Sequence, residues 1–364
     1  MRPRAIWLAL LFLFKDPGIG PTGALDMKTF FSILTLIASL AGSTALGAET
    51  DYPLTIDNCG HTLSFDAAPQ TTVTIGQSTT EILYLLGQQD RIAGTSVWFS
   101  PVLPEFKDTN DAIERLADND PSFESVLGKR PDLVTVMYEW HVGPEGMVGT
   151  RDSFHEVGVP TYVMPTDCAA KDNSVGADGT RSELFTTQQL YTSIEELALI
   201  YNAQDAGATL LADLQSREAK AVEKAKSLNL PQGTSALFWF SSSEMAADPY
   251  VAGQQGVPAY MMDKLGVENV VTSAEEWPLV GWETLAKSDP TFIVLAKMDR
   301  RRFPADDIEK KRAFLMNDPV AREMTAVKEG RIITMDAHAM DPTVRAIYAL
   351  ETMADALSGF DLAE

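Results

Sequence analysis

Residues 123–137 (FESVLGKRPDLVTVM) and residues 282–296 (WETLAKSDPTFIVLA) follow one pattern. In each stretch an aromatic residue precedes a glutamate, and a proline follows seven residues after that glutamate, shortly before an apolar run. Such a pattern predicts a short helix, a proline turn and a buried strand. We therefore expect two similar α/β halves, each presenting one carboxylate, Glu124 or Glu283, at an equivalent place. Two matched halves favour a ligand held between them.

The first half opens with a strand and a helix. Residues 72–76 predict the strand, and the stretch from Thr80 to Leu86 predicts the helix. Ser78 or Thr79 is expected to cap this helix, because a side-chain oxygen there can accept a hydrogen bond from the first turn. Glu81 is expected in that first turn, where the helix dipole favours a carboxylate.

Helix and strand alternate through both halves, which indicates mostly parallel sheets with helices on their faces. Asp120, followed by Pro121, is expected to cap the helix of Glu124. Helical patterns from Thr187 to Tyr201 and from about Gln204 to Leu228 separate the halves, and the second would span roughly 37 Å. We predict an α/β fold of two Rossmann-like lobes joined by a single long helix. The expected divisions are a leader (1–48), an N-terminal lobe (49–185) that ends in a polar surface loop (169–185), a helical connector (186–229) and a C-terminal lobe (230–364).

The leader has the pattern of an export signal. Met27-Lys28 is followed by an apolar stretch from Phe30 to Leu40 and by small residues up to Ala48, as in a secretory signal peptide. We expect translation to begin at Met27 and cleavage to occur near Ala48. A transmembrane anchor is the alternative, but a span needs about 20 apolar residues and this core is shorter. The expected location of the mature chain is the periplasm.

The charge of the chain limits its partners. The formal net charge is -22, and it becomes -24 once the leader is lost with its four basic and two acidic residues. Nucleic acids and anionic membrane surfaces repel such a chain, so no nucleic-acid partner is expected. Basic loops of a membrane protein would attract it. Solubility alone is an equally simple explanation of the charge.

The mature chain contains two cysteines, Cys59 and Cys168. Cys59 lies in a predicted hairpin (54–65), and Cys168 follows a predicted strand (160–164), so both fall in the first lobe. An even number of cysteines in an oxidising compartment permits a disulfide, and we expect one between them. A cysteine metal site is the alternative, but it would need further ligands nearby.

Three stretches, taken in order, carry a resemblance to a known family. They are residues 75–96, which include Ile75-Gly76-Gln77-Ser78-Thr79-Thr80-Glu81, then residues 123–134 and residues 277–283. The chain resembles the periplasmic binding proteins of the siderophore, cobalamin and haem type (class III, with a helical backbone), which feed ABC importers. The resemblance covers nearly all of residues 52–360. It implies a monomer that delivers a small molecule to a permease.

The resemblance also implies a role for the two repeated carboxylates. In that family a glutamate on each lobe pairs with arginines of the two permease subunits, and these positions fall on Glu124 and Glu283. A carboxylate that meets an arginine fork forms paired hydrogen bonds and so fixes the docking register. The expected partner is thus an ABC permease dimer in the inner membrane. The alternative is that each glutamate only stabilises the N-terminus of its own helix.

The ligand is expected between the lobes, because binding sites in open α/β sheets lie at the carboxyl ends of the strands. Aromatic side chains suit a lipophilic ligand, and arginines suit the negative charge of a ferric chelate. Phe240 could equally be a core residue, and Arg345 could form a plain ion pair. The expected ligand-binding residues are Trp98, Tyr138, Trp140, His141, Phe240, Tyr250, Trp277, Arg302 and Arg345.

The expected function is capture of a metal chelate, first of all a ferric siderophore, with cobalamin or haem as alternatives. Direct zinc or manganese binding through Glu139, His141 and His338 is a rival, although only two histidines converge there. No nucleophile elbow, phosphate loop or His-Glu-x-x-His motif occurs in the sequence, so we expect neither an enzyme nor a resident cofactor. A sensor module without a transport role is the alternative from another class.

Overall fold

The computed structural model describes residues 49–174, 179–300, 302–360 and 362. The expected start at Met27 and the expected cleavage site near Ala48 lie outside the described residues. None of the helices within these ranges combines the length and the apolar character that a membrane crossing requires.

Within the described residues the strands form two five-stranded sheets and two short hairpins. The strands are β1 (Leu54–Asn58), β2 (His61–Phe65), β3 (Thr72–Ile75), β4 (Ile92–Ser96), β5 (Arg115–Ala117), β6 (Leu133–Val136), β7 (Thr161–Val163), β8 (Lys171–Asp172), β9 (Thr180–Arg181), β10 (Ser235–Ser241), β11 (Tyr250–Val251), β12 (Glu268–Asn269), β13 (Phe292–Lys297) and β14 (Ile332–Asp336).

The helices surround these sheets. They are α1 (Gln77–Leu85), α2 (Lys107–Ala112), α3 (Phe123–Leu127), α4 (Arg151–Glu156), α5 (Thr187–Ile200), α6 (Gln204–Ser227), α7 (Val257–Leu265), α8 (Trp282–Ser288), α9 (Ile308–Asn317), α10 (Thr325–Lys328) and α11 (Val344–Ser358).

Each lobe is built on one sheet. The N-terminal sheet has the order β5-β4-β3-β6-β7, and all of its pairs are parallel. The C-terminal sheet has the order β11-β10-β13-β14, with β12 also on β10, and only the β10–β11 pair is antiparallel. The predicted α/β fold of two lobes with mostly parallel sheets is confirmed.

The sequence repeat corresponds to a structural repeat. In the first lobe α3 carries Glu124 and leads to β6, which lies between β3 and β7. In the second lobe α8 carries Glu283 and leads to β13, which lies between β10 and β14. The strand residues are buried in both copies, apart from Lys297 at the end of β13. Continuous apolar runs are what parallel strands with both faces covered require.

The two connector helices lie where the sequence predicts them, to within one residue at each end. The 24 residues of α6 correspond to a length of roughly 36 Å. The carboxylate of Glu218 in α6 accepts hydrogen bonds from Tyr191 of α5 and Tyr260 of α7. Arg217 of α6 pairs with Glu351 of α11 at 3.1 Å. The long helix is thus attached by side-chain bonds to helices before and after it.

The expected caps of two helices are wrong. Helix α1 begins at Gln77, before Ser78 and Thr79, and its N-cap is Gly76, so neither side chain caps it. Gly76 makes this direct turn possible because its φ is 133° and a Cβ there would lie 2.3 Å from the Cβ of Met137. Glu81 accordingly lies beyond the first turn and is completely buried.

At α3 the N-cap is Ser122, whose hydroxyl accepts a hydrogen bond from the backbone N–H of Ser125 at 3.1 Å. Asp120 lies before the helix instead and faces His141, with Nε2 of His141 3.3 Å from Oδ1 of Asp120. This contact lowers the pKa of Asp120 below its ordinary value.

The segment expected as a polar surface loop, residues 169–185, is partly buried in the part that the structure describes. Its described residues form the antiparallel hairpin β8–β9, and Arg181 and Phe185 are buried. The backbone N–H of Phe185 donates to the carbonyl of Gln255 at 2.8 Å. Arg181 pairs with Glu276 of the C-terminal lobe. The segment therefore connects the lobes, and its polar composition reflects buried ion pairs as well as solvent contact.

The predicted disulfide is confirmed. Cys59 and Cys168 are bonded, with their Cα atoms 5.7 Å apart. The bond attaches the β1–β2 hairpin to the residues that follow β7. Its position places the start of the 169–185 segment under covalent restraint.

Candidate functional site

Residues at the carboxyl ends of strands from both lobes meet between the lobes. Phe99 follows β4, and its ring lies 6.4 Å from that of Tyr138, which follows β6. Towards the second lobe, the ring of Phe99 stacks on that of His338 with the centroids 5.5 Å apart, and its centroid lies 6.5 Å from that of Phe240 in β10. Phe240 in turn contacts Trp277 at 4.7 Å. These five rings form an aromatic cluster that spans the two lobes.

Residues 97–103, which we call the cleft loop, carry Phe99 into this position. The carbonyl of Phe99 accepts hydrogen bonds from the backbone N–H groups of Asp299, at 2.8 Å, and Arg300, at 3.3 Å. The loop begins at Val97, whose φ is 59°. A β-branched residue in the left-handed region is strained, and such strain persists only where the surrounding structure imposes it. Contacts with the surrounding structure therefore hold the loop in a conformation that its own backbone would not prefer.

A pocket of about 520 Å³ opens beside the cleft loop. Such a volume is in the range of small-molecule sites, which is roughly 300–1,000 Å³. Both lobes contribute to its wall, as expected for a ligand held between them. The lining residues are Trp98, Phe99, Ser100, Pro101, Arg115, Asp118, Asn119, Asp299 and Arg300.

Of the two arginines that line this pocket, Arg300 has a guanidinium nitrogen without a hydrogen-bond partner among the described residues. The guanidinium carbon lies 4.0 Å from the centroid of Phe99, and Nε is buried without a hydrogen-bond partner among the described residues. Burial lowers the pKa of Arg300. Arg115, by contrast, is paired with Asp118 at 3.1 Å and covers the ring of Trp98 at 4.8 Å. A guanidinium with an unpaired donor can donate a charge-assisted hydrogen bond to an anionic or oxygen-rich ligand.

The structure brings only some of the predicted ligand residues together. Tyr138, Phe240 and Trp277 belong to the aromatic cluster. Trp98 lines the pocket but is 3% exposed, and its indole N–H donates to Thr95 at 2.9 Å. Trp98 therefore presents little free surface to a ligand.

Other predicted residues lie at the margin. Trp140 is 39% exposed. Tyr250 stacks on Phe303, with the centroids 6.4 Å apart, and Arg302 is exposed with its guanidinium 5.7 Å from the same ring. His141 is completely buried and faces Asp120. None of these four lines the pocket.

Arg345 is already engaged by protein groups. Its guanidinium pairs with the buried carboxylate of Glu81 from the first lobe and with Asp336 from the second. It also donates to the carbonyl of Pro101 at 2.6 Å. Burial alone would lower the pKa of Arg345, but the two carboxylates outweigh it and the pKa is raised.

Phe99 and Arg300 are the functional candidates that sequence reasoning did not select. Both follow strands, β4 and β13, so the rule that ligands bind at strand ends points to their neighbourhood. The sequence could not distinguish Phe99 from the adjacent Trp98, or Arg300 from Arg302, because all four are equally compatible with a loop. Only the contacts between the lobes, seen in the structure, distinguish Phe99 and Arg300 from these neighbours.

A second ionic cluster joins the lobes on the side of the β8–β9 hairpin. Lys171 pairs with Asp167 at 2.6 Å and with Glu276 at 3.2 Å, and Arg181 also pairs with Glu276. The side chains are at most 8% exposed. Burial raises the pKa of Asp167, although Lys171 opposes the shift. The sequence did not reveal this cluster.

The three residues of the rival metal site, Glu139, His141 and His338, each contact a different partner. Oε2 of Glu139 accepts from Asn173 at 2.6 Å, His141 faces Asp120, and His338 lies under Phe99. Within the ranges that the structure describes, no group of three or more His, Cys, Asp or Glu side chains is arranged to hold a metal ion.

Glu124 and Glu283 occupy equivalent places. Each is the second residue of its helix, α3 or α8, and each is exposed. Neither carboxylate forms an ion pair with a residue that the structure describes. Both are therefore available to a cationic group of another molecule.

Comparison with solved structures supports the architecture. A structure from Saccharomonospora viridis, described as an ABC-type Fe3+-hydroxamate transport system, superposes with a TM-score of 0.68 and 24% identity, covering 84% of this chain and 99% of that one. A periplasmic binding protein from Veillonella parvula gives a TM-score of 0.68 and 22% identity, covering 84% and 98%. A periplasmic haem-binding protein from Pseudomonas aeruginosa gives a TM-score of 0.62 and 18% identity, covering 80% of this chain and 93% of that one. At these identities the likeness shows the fold.

Sequence comparison supports the family. A protein of Bacillus subtilis named as an uncharacterized ABC transporter substrate-binding lipoprotein, YvrC, is 22% identical over 317 residues, which is 84% of this chain and 86% of the relative. The family model for periplasmic binding proteins matches residues 73–339, which include both repeated carboxylates and, apart from Thr72, both five-stranded sheets. This chain belongs to the periplasmic binding protein family.

Proposed function

We propose that this chain is the extracytoplasmic solute-binding component of an ABC importer. In this proposal the monomeric, exported protein captures a metal chelate, first of all a ferric siderophore, between its lobes. It then delivers the chelate to a permease dimer in the inner membrane. The observation that carries the proposal is the pocket at the strand ends, in which the Nε–H of Arg300 lacks a partner beside the aromatic cluster.

The chemistry of the pocket suits such a ligand. The oxygens around ferric iron in a hydroxamate, catecholate or carboxylate chelate bear negative charge and accept hydrogen bonds. A guanidinium stacked on Phe99 at 4.0 Å offers both charge and donors, and aromatic walls contact the organic arms of the chelate. The structural relatives described as an ABC-type Fe3+-hydroxamate transport system and as a petrobactin-binding protein support this ligand class.

Haem is the second candidate. Both ring nitrogens of His338 are buried without a hydrogen-bond partner among the described residues, and imidazole is a common ligand of haem iron. Several structural relatives are described as haem-binding proteins. Haem would have to displace Phe99, which now covers His338.

Fluorescence titration of the mature protein tests the ligand class. Five tryptophans follow Ala48, since Trp7 is the sixth, and Trp98 and Trp277 lie at the pocket and the aromatic cluster. The ligands are ferric siderophores, the same siderophores without iron, haemin, cobalamin and zinc chloride. We expect saturable quenching by a ferric siderophore. Saturation by haemin alone would select the second candidate, and saturation by zinc alone or by no ligand would refute chelate capture.

Charge reversal tests delivery. Glu124→Arg together with Glu283→Arg should abolish uptake of the ligand by cells and leave the Kd of the purified protein unchanged, because both carboxylates are exposed and neither residue lines the pocket. The matched control is Glu156→Arg with Glu309→Arg, which changes the net charge equally at exposed positions of the two lobes. Normal uptake by the first variant would contradict docking through Glu124 and Glu283.

A further inference from the structure

Glu81 is a buried carboxylate that accepts four hydrogen bonds. It accepts from Nε of Arg345 at 2.9 Å and from Nη2 of the same side chain. It also accepts from Nε2 of Gln77 at 3.0 Å and from the backbone N–H of Leu103 at 3.2 Å. The residue is 0% exposed. One carboxylate of the first lobe thus holds the end of the cleft loop and a cation of the second lobe.

Gln77 holds the middle of the same loop. Its Oε1 accepts from the backbone N–H of Phe99 at 3.1 Å and from that of Ser100 at 3.2 Å. Its Nε2 donates to the carbonyl of Pro101 at 3.3 Å as well as to Glu81. The side chain is completely buried. Helix α1 therefore fixes three consecutive residues of the cleft loop through one amide group.

The second lobe holds this loop from the other side. Arg345 donates to the carbonyl of Pro101 at 2.6 Å and pairs with Asp336. Asp336 accepts a hydrogen bond from the hydroxyl of Ser100. The polar groups form a closed network that passes from α1 through the loop to β14 and α11, and returns to α1 through the Glu81–Arg345 pair.

We propose that Glu81, Gln77 and Arg345 are positioning residues of the ligand pocket. They hold the cleft loop, and with it four pocket-lining residues (98–101), in the geometry that binds ligand. In this proposal, which rests on the proposed function, Arg345 acts through the loop and does not contact the ligand. The strained φ of Val97 at the start of the loop agrees with a conformation imposed by this network.

Hydrogen exchange of the ligand-free protein tests the network without a known ligand. Glu81→Gln keeps the shape of the side chain and removes its charge, and Arg345→Met removes the cation. We expect both variants to exchange the backbone amides of residues 97–103, apart from Pro101, about tenfold faster or more, while those of β10 and β13 stay protected over the same exchange times. Arg181→Met is the matched control, because it breaks an ion pair between the lobes in the second ionic cluster and should leave the cleft loop protected. Near-ultraviolet circular dichroism checks that each variant is folded.

Arg345→Lys keeps the charge and serves as the conservative variant if Arg345→Met does not fold; it should restore part of the protection. Wild-type protection of residues 97–103 in a folded Glu81→Gln would overturn the proposal. Exchange that rises equally across the whole chain would also overturn it, since that result shows a structural role alone.

Binding of a ferric siderophore gives the second readout. Glu81→Gln, Arg345→Met and the double variant should weaken Kd by one common factor, about tenfold or more, because all three release the same loop. A large loss in Arg345→Met with none in Glu81→Gln would show that Arg345 contacts the ligand and would overturn the proposal. If no ligand of the panel binds, the proposed function fails, while the exchange experiment still decides whether the network holds the loop.

Discussion

Nε of Arg345 lies 2.9 Å from Oε2 of Glu81, although 264 positions separate the two residues in the chain. The pair joins the first helix of one lobe to the last helix of the other. The carboxylate is 0% exposed and the arginine side chain is 11% exposed. Such a pair is sensitive to the loss of one partner, because the remaining charge stays buried.

Arg345→Met should therefore lower the free energy of unfolding by about 3–5 kcal/mol. Glu81→Leu combined with Arg345→Met should lower it by less, because no buried charge is then left alone. Urea denaturation of the two single variants and the double variant measures the coupling. Strictly additive losses would show that the two side chains do not depend on each other.

Lys311 should make stability depend on pH. Its side chain is completely buried and donates to the carbonyl of Ala296 at 2.7 Å, and burial lowers its pKa to about 7. Since the folded-state pKa lies below the ordinary value of 10.5, the unfolded chain binds a proton that the folded chain releases. The free energy of unfolding should thus rise between about pH 7 and 10.5, by at most about 1.4 kcal/mol per pH unit from this group.

Urea denaturation across that pH range, with Lys311→Met and Lys310→Met, isolates the effect. Lys310 is the exposed neighbour on the same helix, so its variant should keep the slope of the wild type. Lys311→Met should lose it. An identical slope in all three proteins would place the titration elsewhere.

The disulfide should contribute to stability through the unfolded chain. Cys59 and Cys168 close a loop across a sequence separation of 109 residues, and a cross-link of this size restricts the unfolded ensemble strongly. Cys59→Ser with Cys168→Ser should lower the free energy of unfolding by about 2–5 kcal/mol. Dithiothreitol should cause a similar loss in the wild type and none in the variant. Equal stability of the oxidised wild type and the variant would contradict this role.

Gly253 should tolerate no side chain. An ideal Cβ there would lie 1.8 Å from the carbonyl oxygen of Glu275, next to the residue that pairs with Arg181. Gly253→Ala should cost about 2–3 kcal/mol by displacing this backbone. Gly256→Ala is the matched control, because the nearest atom to its Cβ would be 3.6 Å away. Thermal unfolding of the two variants should differ clearly, and equal midpoints would show that the chain adapts at Gly253.

The parts of the fold that the sequence predicted are set by local patterns. The repeated stretches at residues 123–137 and 282–296 predicted a helix and a central strand in each lobe, and helical periodicity located α5 and α6 to within one residue. The disulfide followed from the number of cysteines and the compartment. The helices and strands depend on neighbours in sequence, and the disulfide required only the number of cysteines and the compartment, so a single sequence was sufficient for both.

The parts that the sequence did not predict depend on distant partners. Glu81 was assigned to a helix dipole, yet its main partner is Arg345 in the other lobe. Arg181 was placed in a surface loop, yet it pairs with Glu276, 95 positions away. The preference for Phe99 and Arg300 over their neighbours likewise appears only when the strand ends of two sheets are brought together. Side-chain chemistry shows which residues can bind a ligand, and the packing of the lobes determines which ones face it.

Calorimetric titration of one ferric siderophore into the wild type and the Arg300→Gln variant tests ligand capture between the lobes. Arg300→Gln removes the buried, unpaired donor of the pocket, and loss of a charge-assisted hydrogen bond is worth roughly 1.5–3 kcal/mol. We expect one-site binding by the wild type, a Kd about ten- to hundredfold weaker in Arg300→Gln, and an unchanged Kd in the exposed control Lys310→Gln. Equal affinity of the wild type and Arg300→Gln, or no binding by either, would contradict ligand capture at this pocket.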